Sequence, residues 1–187
     1  DDQTRRQIAT LGYAMGSVEE DFTFKQDKAD PNQLLGLHKL HQSVSPLMLE
    51  KKFQEAVAVC QQMIDEYPGV IVPHERLADI AHQQGDMQGV IKHWEEVLRL
   101  QPNHATGHSN LGLALASLGQ YTEAIEHYRK SLKFRPNFAQ AHHNLARSLR
   151  ALGKIDEATE NDHQAVRLNP NYTEAHTDLG LALAQRH

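Results

Sequence analysis

The chain has 187 residues, which is long enough to bury a continuous hydrophobic core. Charged residues make up 23% of it and the formal net charge is −5, which argues against a nucleic-acid-binding protein. No apolar run reaches the ~20 residues that a membrane span requires, so we expect no membrane contact.

The N-terminal stretch, residues 1–30, is predicted to form a short helix followed by an acidic linker. The chain does not begin with Met and carries no visible secretory signal, which favours an excised fragment or a processed product. The apolar side chains of this stretch have no obvious core of their own: Ile8, Leu11, Phe22 and Phe24. Self-association through residues 1–30 is therefore one hypothesis.

From about residue 37 to the C-terminal end, the sequence repeats with a period of 34 residues. Four prolines follow this period: Pro68, Pro102, Pro136 and Pro170. Leucines and glycines keep the same phase: Leu77, Leu111, Leu145 and Leu179, with Gly85, Gly119 and Gly153. Several independent residue types in one phase indicate a repeat architecture.

Each unit contains two apolar-periodic segments separated by a glycine and closed by a proline, which predicts a pair of helices. We expect the glycine to adopt a left-handed conformation and the proline to stop the second helix. The predicted repeats are 37–70, 71–104, 105–138 and 139–172, followed by a capping helix over 173–185. The predicted fold class is all-α, a right-handed solenoid of antiparallel helix pairs over residues 31–187.

Two positions depart from the repeat pattern. Pro46 falls inside the first helix of the first repeat and should kink that helix or end it early. Asp162 takes the place that Trp94 and Tyr128 hold in earlier repeats, and we expect looser or different packing there. Cys60 takes the same place in the first repeat, where it should be buried and unreactive; as the single cysteine it excludes an internal disulfide.

The repeat pattern resembles the tetratricopeptide repeat, in which an aromatic residue, Leu-Gly, Ala-x3-aromatic and Pro recur over 34 residues. The third unit matches with His108, Leu111, Gly112, Leu115, Ala124, Tyr128 and Pro136. The resemblance implies a protein-binding or peptide-binding module, without a catalytic motif or a cofactor in this chain.

Histidines occupy the aromatic position of four successive units: His74, His108, His142 and His176. We interpret them as packing residues, because equivalent residues of adjacent repeats lie too far apart to share one metal ion. The closely spaced pairs His38–His41 and His104–His108 lack a third ligand beside them. We therefore assign no metal site.

In tetratricopeptide arrays, the first helices line an inner groove, and the resemblance implies that their free face binds a ligand. The side chains expected there are Arg76, Asp79, Ser109, Asn110, His143, Asn144, Arg147, Arg150 and Asp178. Because an amide can donate and accept at once, Asn110 and Asn144 would hold an extended peptide backbone. The arginines would bind acidic groups in forked contacts. The alternative interpretation is that these polar side chains are merely solvated.

The segment 5–16, RRQIATLGYAMG, is similar to the end of the catalytic domain of bacterial sulfatases. This resemblance implies an alternative function, in which the repeats are the C-terminal part of a larger hydrolase and recruit partners or set its oligomeric state. The sulfatase nucleophile motif is absent from this chain, so a catalytic domain would lie upstream. The compartment would then be the periplasm or the cell exterior, and otherwise the cytoplasm.

Overall fold

The computed structural model describes residues 31–184, and this range contains helices and no β-strand. The helices are α1 (Pro31–Leu49), α2 (Phe53–Glu66), α3 (Val72–Gln83), α4 (Met87–Leu100), α5 (Ala105–Ser117), α6 (Tyr121–Phe134), α7 (Ala139–Ala151), α8 (Ile155–Leu168) and α9 (Thr173–Ala184). Helices α1–α4 belong to a first compact unit, which ends at Gln101, and α5–α9 belong to a second, which begins at Pro102.

A left-handed residue lies in the turn between the two helices of each pair. Gly85, Gly119 and Gly153 have φ angles of 75°, 78° and 74°, which confirms the conformation predicted for them. The equivalent residue between α1 and α2 is Lys51, with a φ angle of 58°. A side chain in this conformation costs about 1–2 kcal/mol. The first turn therefore has the same shape as the others but lacks the residue that suits it.

The first unit has an apolar core between α1, α2 and α3. Leu37 and Val44 of α1 pack with Cys60 of α2, and all three are at most 1% exposed. Burial raises the pKa of the Cys60 thiol to about 11, so the thiol is protonated and unreactive at neutral pH.

Helix α1 runs through Pro46 to Leu49, so the expectation that Pro46 ends the helix early is wrong. The carbonyl of Pro46 accepts the backbone N–H of Glu50 at 3.0 Å, and the last helical turn is closed in this way. Because proline lacks only its own N–H, the turn that follows it keeps its hydrogen bonds.

In the second unit, α5 and α6 approach each other closely at Gly112. A Cβ atom on Gly112 would lie 2.9 Å from Cε1 of Tyr128 and 3.1 Å from the carbonyl oxygen of Ala124. Tyr128 and Ala124 are almost fully buried, as the repeat register predicted, and Trp94 is buried in the first unit. The small residues of the repeat are thus required by the short distance between the helices.

Asp162 on α8 is fully buried in place of an aromatic ring, and it is stabilised by contacts with Arg150 and His143. One carboxylate oxygen accepts a hydrogen bond from Nη2 of Arg150, and the other lies 3.2 Å from Nδ1 of His143. An unpaired carboxylate in this position would be strongly unfavourable, whereas a paired one is tolerated. The fourth helix pair is therefore packed differently, by an ionic contact instead of an aromatic one.

The described units are thus made of helix pairs joined by short turns, with α9 following the last pair, and the predicted all-α solenoid class is confirmed. Within residues 31–184, none of the helices combines the length and the apolar character needed to span a membrane.

Candidate functional site

The second unit contains a pocket of about 240 Å³ formed by α5, α6 and α7. Helix α5 contributes Leu113, Ala116 and Ser117, α6 contributes Tyr121 and Tyr128, and α7 contributes Asn144, Arg147, Ser148 and Ala151. The lining therefore combines small apolar surfaces with an amide, hydroxyl groups and one guanidinium. Such a mixture suits a ligand that carries both an apolar side chain and polar groups.

The cation of this pocket is Arg147, whose side chain is exposed. It forms no ion pair or hydrogen bond with any residue that the structure describes. The guanidinium lies near the buried Tyr128, where burial raises the pKa of the phenol and the positive charge opposes that rise only in part. Tyr128 therefore keeps its O–H at physiological pH.

The two asparagines predicted to bind a peptide backbone lie on successive first helices of the second unit, Asn110 on α5 and Asn144 on α7. Asn144 is 7% exposed and lines the pocket, and Asn110 is half-buried. Neither amide has a hydrogen-bond partner within the described residues. Both amides are thus able to donate to a ligand and to accept from it.

Besides Asn144, two more of the residues expected on the free face are buried. Ser109 is 1% exposed and His143 is 3% exposed, so neither offers its side chain to solvent. His143 contacts the Asp162 carboxylate and the ring of Tyr172, whose centroid lies 5.0 Å from its own. The position of a residue within one repeat predicts its helical face but does not show which neighbouring helices cover that face.

Arg150 and Asp178 form an ion pair with each other. Nη1 of Arg150 donates to Oδ2 of Asp178 at 3.2 Å, and Nη2 donates to Asp162. One guanidinium on α7 therefore connects α8 and α9, and its fork is already occupied by two carboxylates. The expectation that Arg150 would bind acidic groups of a ligand is not supported, because its donors are used inside the unit.

In the first unit, Arg76 and Asp79 form a pair on α3. Nη1 of Arg76 donates to Oδ2 of Asp79 at 3.1 Å, while Nε of Arg76 is buried with no hydrogen-bond partner among the described residues. Because Asp79 partly neutralises the guanidinium, Arg76 is a weaker candidate than Arg147 for a contact with an anionic ligand.

Three of the four periodic histidines, His108, His142 and His176, are fixed by hydrogen bonds to the chain just before their own helix. Nε2 of His108 lies 3.0 Å from the carbonyl oxygen of Pro102, and His142 and His176 contact Pro136 and Pro170 in the same way. Among the described residues, no group of three or more His, Cys, Asp or Glu side chains has the geometry of a metal site. The His108 ring also lies against His127 and Phe134, with ring centroids 5.3 and 5.9 Å away.

Sequence reasoning did not single out Ser148 and Tyr121, which complete the pocket. Ser148 lies one residue after Arg147 and is buried, while Tyr121 begins α6 and is half-exposed. Tyr121 could have been identified from its place in the repeat, because the start of α6 lies beside the end of α5, which also lines the pocket.

Comparison with known proteins identifies the repeats. The model of the TPR (tetratricopeptide) repeat family matches residues 113–149 and 146–186. No curated protein matches the chain.

Three solved structures show the same fold at low sequence identity. MamA from Desulfovibrio magneticus RS-1 superposes with a TM-score of 0.72 and 19% identity, over 80% of this chain and 85% of that one. YrrB, described as a TPR protein with an unusual peptide-binding site, gives a TM-score of 0.66 and 16% identity, over 90% and 81%. The first TPR of Spaghetti (RPAP3), solved with the HSP90 peptide SRMEEVD, gives 0.60 and 17%, over 62% and 91%. Residues 113–186 therefore contain tetratricopeptide repeats, and the described residues have the all-helical fold that these three structures share.

Proposed function

We propose that this chain is a protein-interaction module whose second unit binds a peptide segment of a partner protein in the pocket between α5, α6 and α7. In this proposal, Arg147 pairs with a carboxylate of the peptide, and Leu113 and Ala116 contact one of its apolar side chains. Asn144, together with Asn110, hydrogen-bonds its backbone. The observation that carries the proposal is the guanidinium of Arg147, which is exposed and has no partner within the described residues.

The contrast with Arg150, three residues further along α7, supports this assignment. Arg150 is half-buried and donates to two carboxylates, so its role is structural. Arg147 has the same chemistry and lies on the same helix, yet it lines the pocket with its charge uncompensated. A ligand carboxylate would form the charge-assisted hydrogen bonds that the chain itself does not supply.

The apolar part of the pocket supports a peptide ligand over a small anion. Leu113 lines the pocket and is 40% exposed. Covering it would remove apolar surface from water, which favours binding in proportion to the area covered. A free phosphate or sulfate offers no such surface, whereas a peptide with an apolar side chain next to an acidic one does.

The solved structures add support at the level of the fold. YrrB has a peptide-binding site, and the first TPR of Spaghetti was solved with the peptide SRMEEVD. Helix pairs of this type therefore present surfaces to peptides in other proteins, and the same use is proposed for this one.

The test is a selection of random heptapeptides displayed on phage against the full chain. Binders are expected to combine an acidic residue with a nearby apolar one. The selected peptides are then titrated against Arg147→Gln by calorimetry, and affinity should fall about tenfold because one charge-assisted contact is lost. Arg167→Gln is the matched control, since Arg167 is exposed on α8, contacts Gln164 and does not line the pocket. Affinity should not change in this control.

The asparagine contribution is measured separately. The double variant Asn110→Ala, Asn144→Ala should weaken every selected peptide to a similar extent, since amide contacts to a backbone do not depend on its sequence. Peptides that bind Arg147→Gln as tightly as the wild type, or a selection that enriches no sequence, would contradict the proposed function.

The sulfatase-tail alternative and self-association through residues 1–30 stay predictions. Both rest on residues that lie outside the described range, and the gene sequence upstream of Asp1 would decide the first.

A further inference from the structure

Two neighbouring histidines of the first unit have buried ring nitrogens without partners. His74 on α3 and His93 on α4 have ring centroids 5.8 Å apart, and their ring planes are inclined by 37°. The Nδ1 atom of each ring is buried and has no hydrogen-bond partner among the described residues. Buried polar atoms of folded proteins nearly always have a partner, so two such atoms on neighbouring rings point to a group that binds both of them.

The equivalent rings of the next repeat, His108 and His127, bind each other instead. Their centroids lie 5.3 Å apart, their planes are inclined by 36°, and their Nδ1 atoms are 3.1 Å apart. The His74–His93 pair has nearly the same arrangement but is wider, and no hydrogen bond joins its two Nδ1 atoms. Both of these nitrogens are therefore able to bind a third group.

A carboxylate lies close to this pair. Glu96 follows His93 by three residues on α4, a spacing that places two side chains on one face of a helix. Burial lowers the pKa of both imidazoles, and the negative charge of Glu96 opposes this shift in each of them, so Glu96 is within electrostatic reach of both rings.

Glu96 is held by a weak competitor. In the structure, its Oε2 atom accepts a hydrogen bond from Nε of Arg99 at 2.7 Å. Both side chains of this pair are accessible to solvent, and such pairs contribute little to stability. The carboxylate can therefore leave Arg99 and turn towards the two rings, and only after this turn do the three side chains converge.

The three side chains carry the donor atoms that a divalent transition metal prefers. Two imidazole nitrogens and one carboxylate form a common ligand set for Zn²⁺, with water in the remaining position. Imidazole binds a metal ion in its neutral form, and the lowered pKa of His74 and of His93, caused mainly by burial, keeps both rings neutral at pH 7. A bridging water would satisfy the same nitrogens but has no need of the carboxylate.

We propose that His74, His93 and Glu96 bind a divalent transition metal ion of the Zn²⁺ class between α3 and α4. The ion accepts a lone pair from each Nδ1 atom, and Glu96 exchanges its contact with Arg99 for a contact with the ion. Sequence reasoning missed this set, because its two histidines lie on different helices. The site belongs to the first unit and does not depend on the peptide pocket of the proposed function.

The next repeat supplies an internal control, because it has the two histidines without the carboxylate. Lys130 stands in the place of Glu96. Burial, together with the positive charge of Lys130, lowers the pKa of His108 and of His127. A metal ion beside Lys130 would be repelled, so this second pair keeps its direct contact between the rings.

The test is a titration of the full chain, labelled with nitrogen-15, with Zn²⁺, followed by nuclear magnetic resonance of the imidazole nitrogens. The Nδ1 signals of His74 and His93 should move together and saturate at about one equivalent, because they share one ion. The signals of His108 and His127 should not move over this range. Mg²⁺, which prefers oxygen ligands, should move none of the four signals.

This titration overturns the proposal if His74 and His93 do not respond to Zn²⁺, or if His108 and His127 saturate before them. It is also overturned if Mg²⁺ produces the same shifts as Zn²⁺.

Variants of the two ligands on α4 provide the second arm, measured by the Zn²⁺ concentration that saturates the His74 signal. His93→Asn should weaken binding at least ~tenfold, and the packing should persist because Asn161 holds the equivalent position two repeats later. Glu96→Gln should weaken binding about tenfold, because the negative ligand is lost. Glu95→Gln is the matched control, since Glu95 is exposed on the same helix, and it should bind like the wild type.

A third variant should improve the site. Arg99→Gln removes both the competitor for Glu96 and a nearby positive charge, so Zn²⁺ should bind more tightly than in the wild type. The proposal is overturned if His93→Asn or Glu96→Gln binds Zn²⁺ like the wild type, if Glu95→Gln weakens binding as much as Glu96→Gln, or if Arg99→Gln does not tighten it.

Discussion

The contact between His108 and His127 should make the second unit sensitive to mild acid. Their Nδ1 atoms lie 3.1 Å apart, and Nε2 of His108 donates to the carbonyl oxygen of Pro102. When both rings are neutral, Nδ1 of His108 is therefore an acceptor and His127 supplies the proton between them. Burial, followed by the nearby His108 and Lys130, lowers the pKa of His127 to about 4. The pKa of His108 is lowered as well, mainly by burial.

The size of the effect follows from proton linkage. His127 titrates near 6.5 in the unfolded chain and near 4 in the folded one, so the unfolded chain binds more protons between these values. The stability is fully present above the unfolded pKa and is lost as the pH falls towards the folded one. Between pH 7.5 and pH 5, the loss that arises from His127 alone is about 2 kcal/mol.

Replacing His127 by asparagine should remove this loss while preserving the packing. Asn161 occupies the equivalent position in the next repeat, with Oδ1 2.9 Å from Nδ1 of His142, so an asparagine fits beside a histidine here. The free energy of unfolding of His127→Asn should fall by about 2 kcal/mol less than that of the wild type between pH 7.5 and pH 5. Urea unfolding followed by circular dichroism at the two pH values gives both quantities.

The matched control is His163→Asn, which removes an exposed histidine from α8 and should keep the pH dependence of the wild type. If His127→Asn and the wild type lose equal stability over this range, the two rings do not share a proton as described and the reasoning fails.

Three further substitutions test the packing, each by urea unfolding. Lys51→Gly should stabilise the first unit by about 0.5–1 kcal/mol, because glycine relieves the left-handed strain at the first turn. A loss of stability would show that the contacts of the Lys51 side chain contribute more than the strain costs. Gly112→Ala should destabilise by about 1–2 kcal/mol, since the overpacking against Tyr128 outweighs the better helix propensity; an increase in stability would contradict the close approach of α5 and α6. Asp162→Ala should lower the free energy of unfolding by about 3 kcal/mol, because it leaves Arg150 and His143 without their shared carboxylate. The control Glu160→Ala, on the exposed side of α8, should change it by less than about 0.5 kcal/mol.

The sequence alone predicted the helix pairs, because their signals are local and repeated. The phase of Gly85, Gly119 and Gly153 located the turns, and the structure gives all three a left-handed backbone. The 34-residue register also placed Trp94 and Tyr128 in the core correctly.

The ion pairs could not be predicted in this way. Arg150 contacts one residue 12 positions later and another 28 positions later, on two different helices. A helical register states which face a side chain occupies, but the reach of a long side chain to the next helices depends on their packing. For the same reason, Ser109 and His143 were expected on a free face and are buried by neighbouring helices.

The link from His108, His142 and His176 to a proline carbonyl six residues earlier also bears on how such a chain can grow. The hydrogen bond between His142 and Pro136 joins the first helix of a repeat to the loop that leads into it, so both residues lie in the same 34-residue block. A duplicated or transplanted 34-residue block that begins at the proline would bring both partners of this hydrogen bond with it, so this bond needs no matching change in the neighbouring block. Gene duplication can therefore lengthen or shorten this protein in whole blocks, and a designer can do the same.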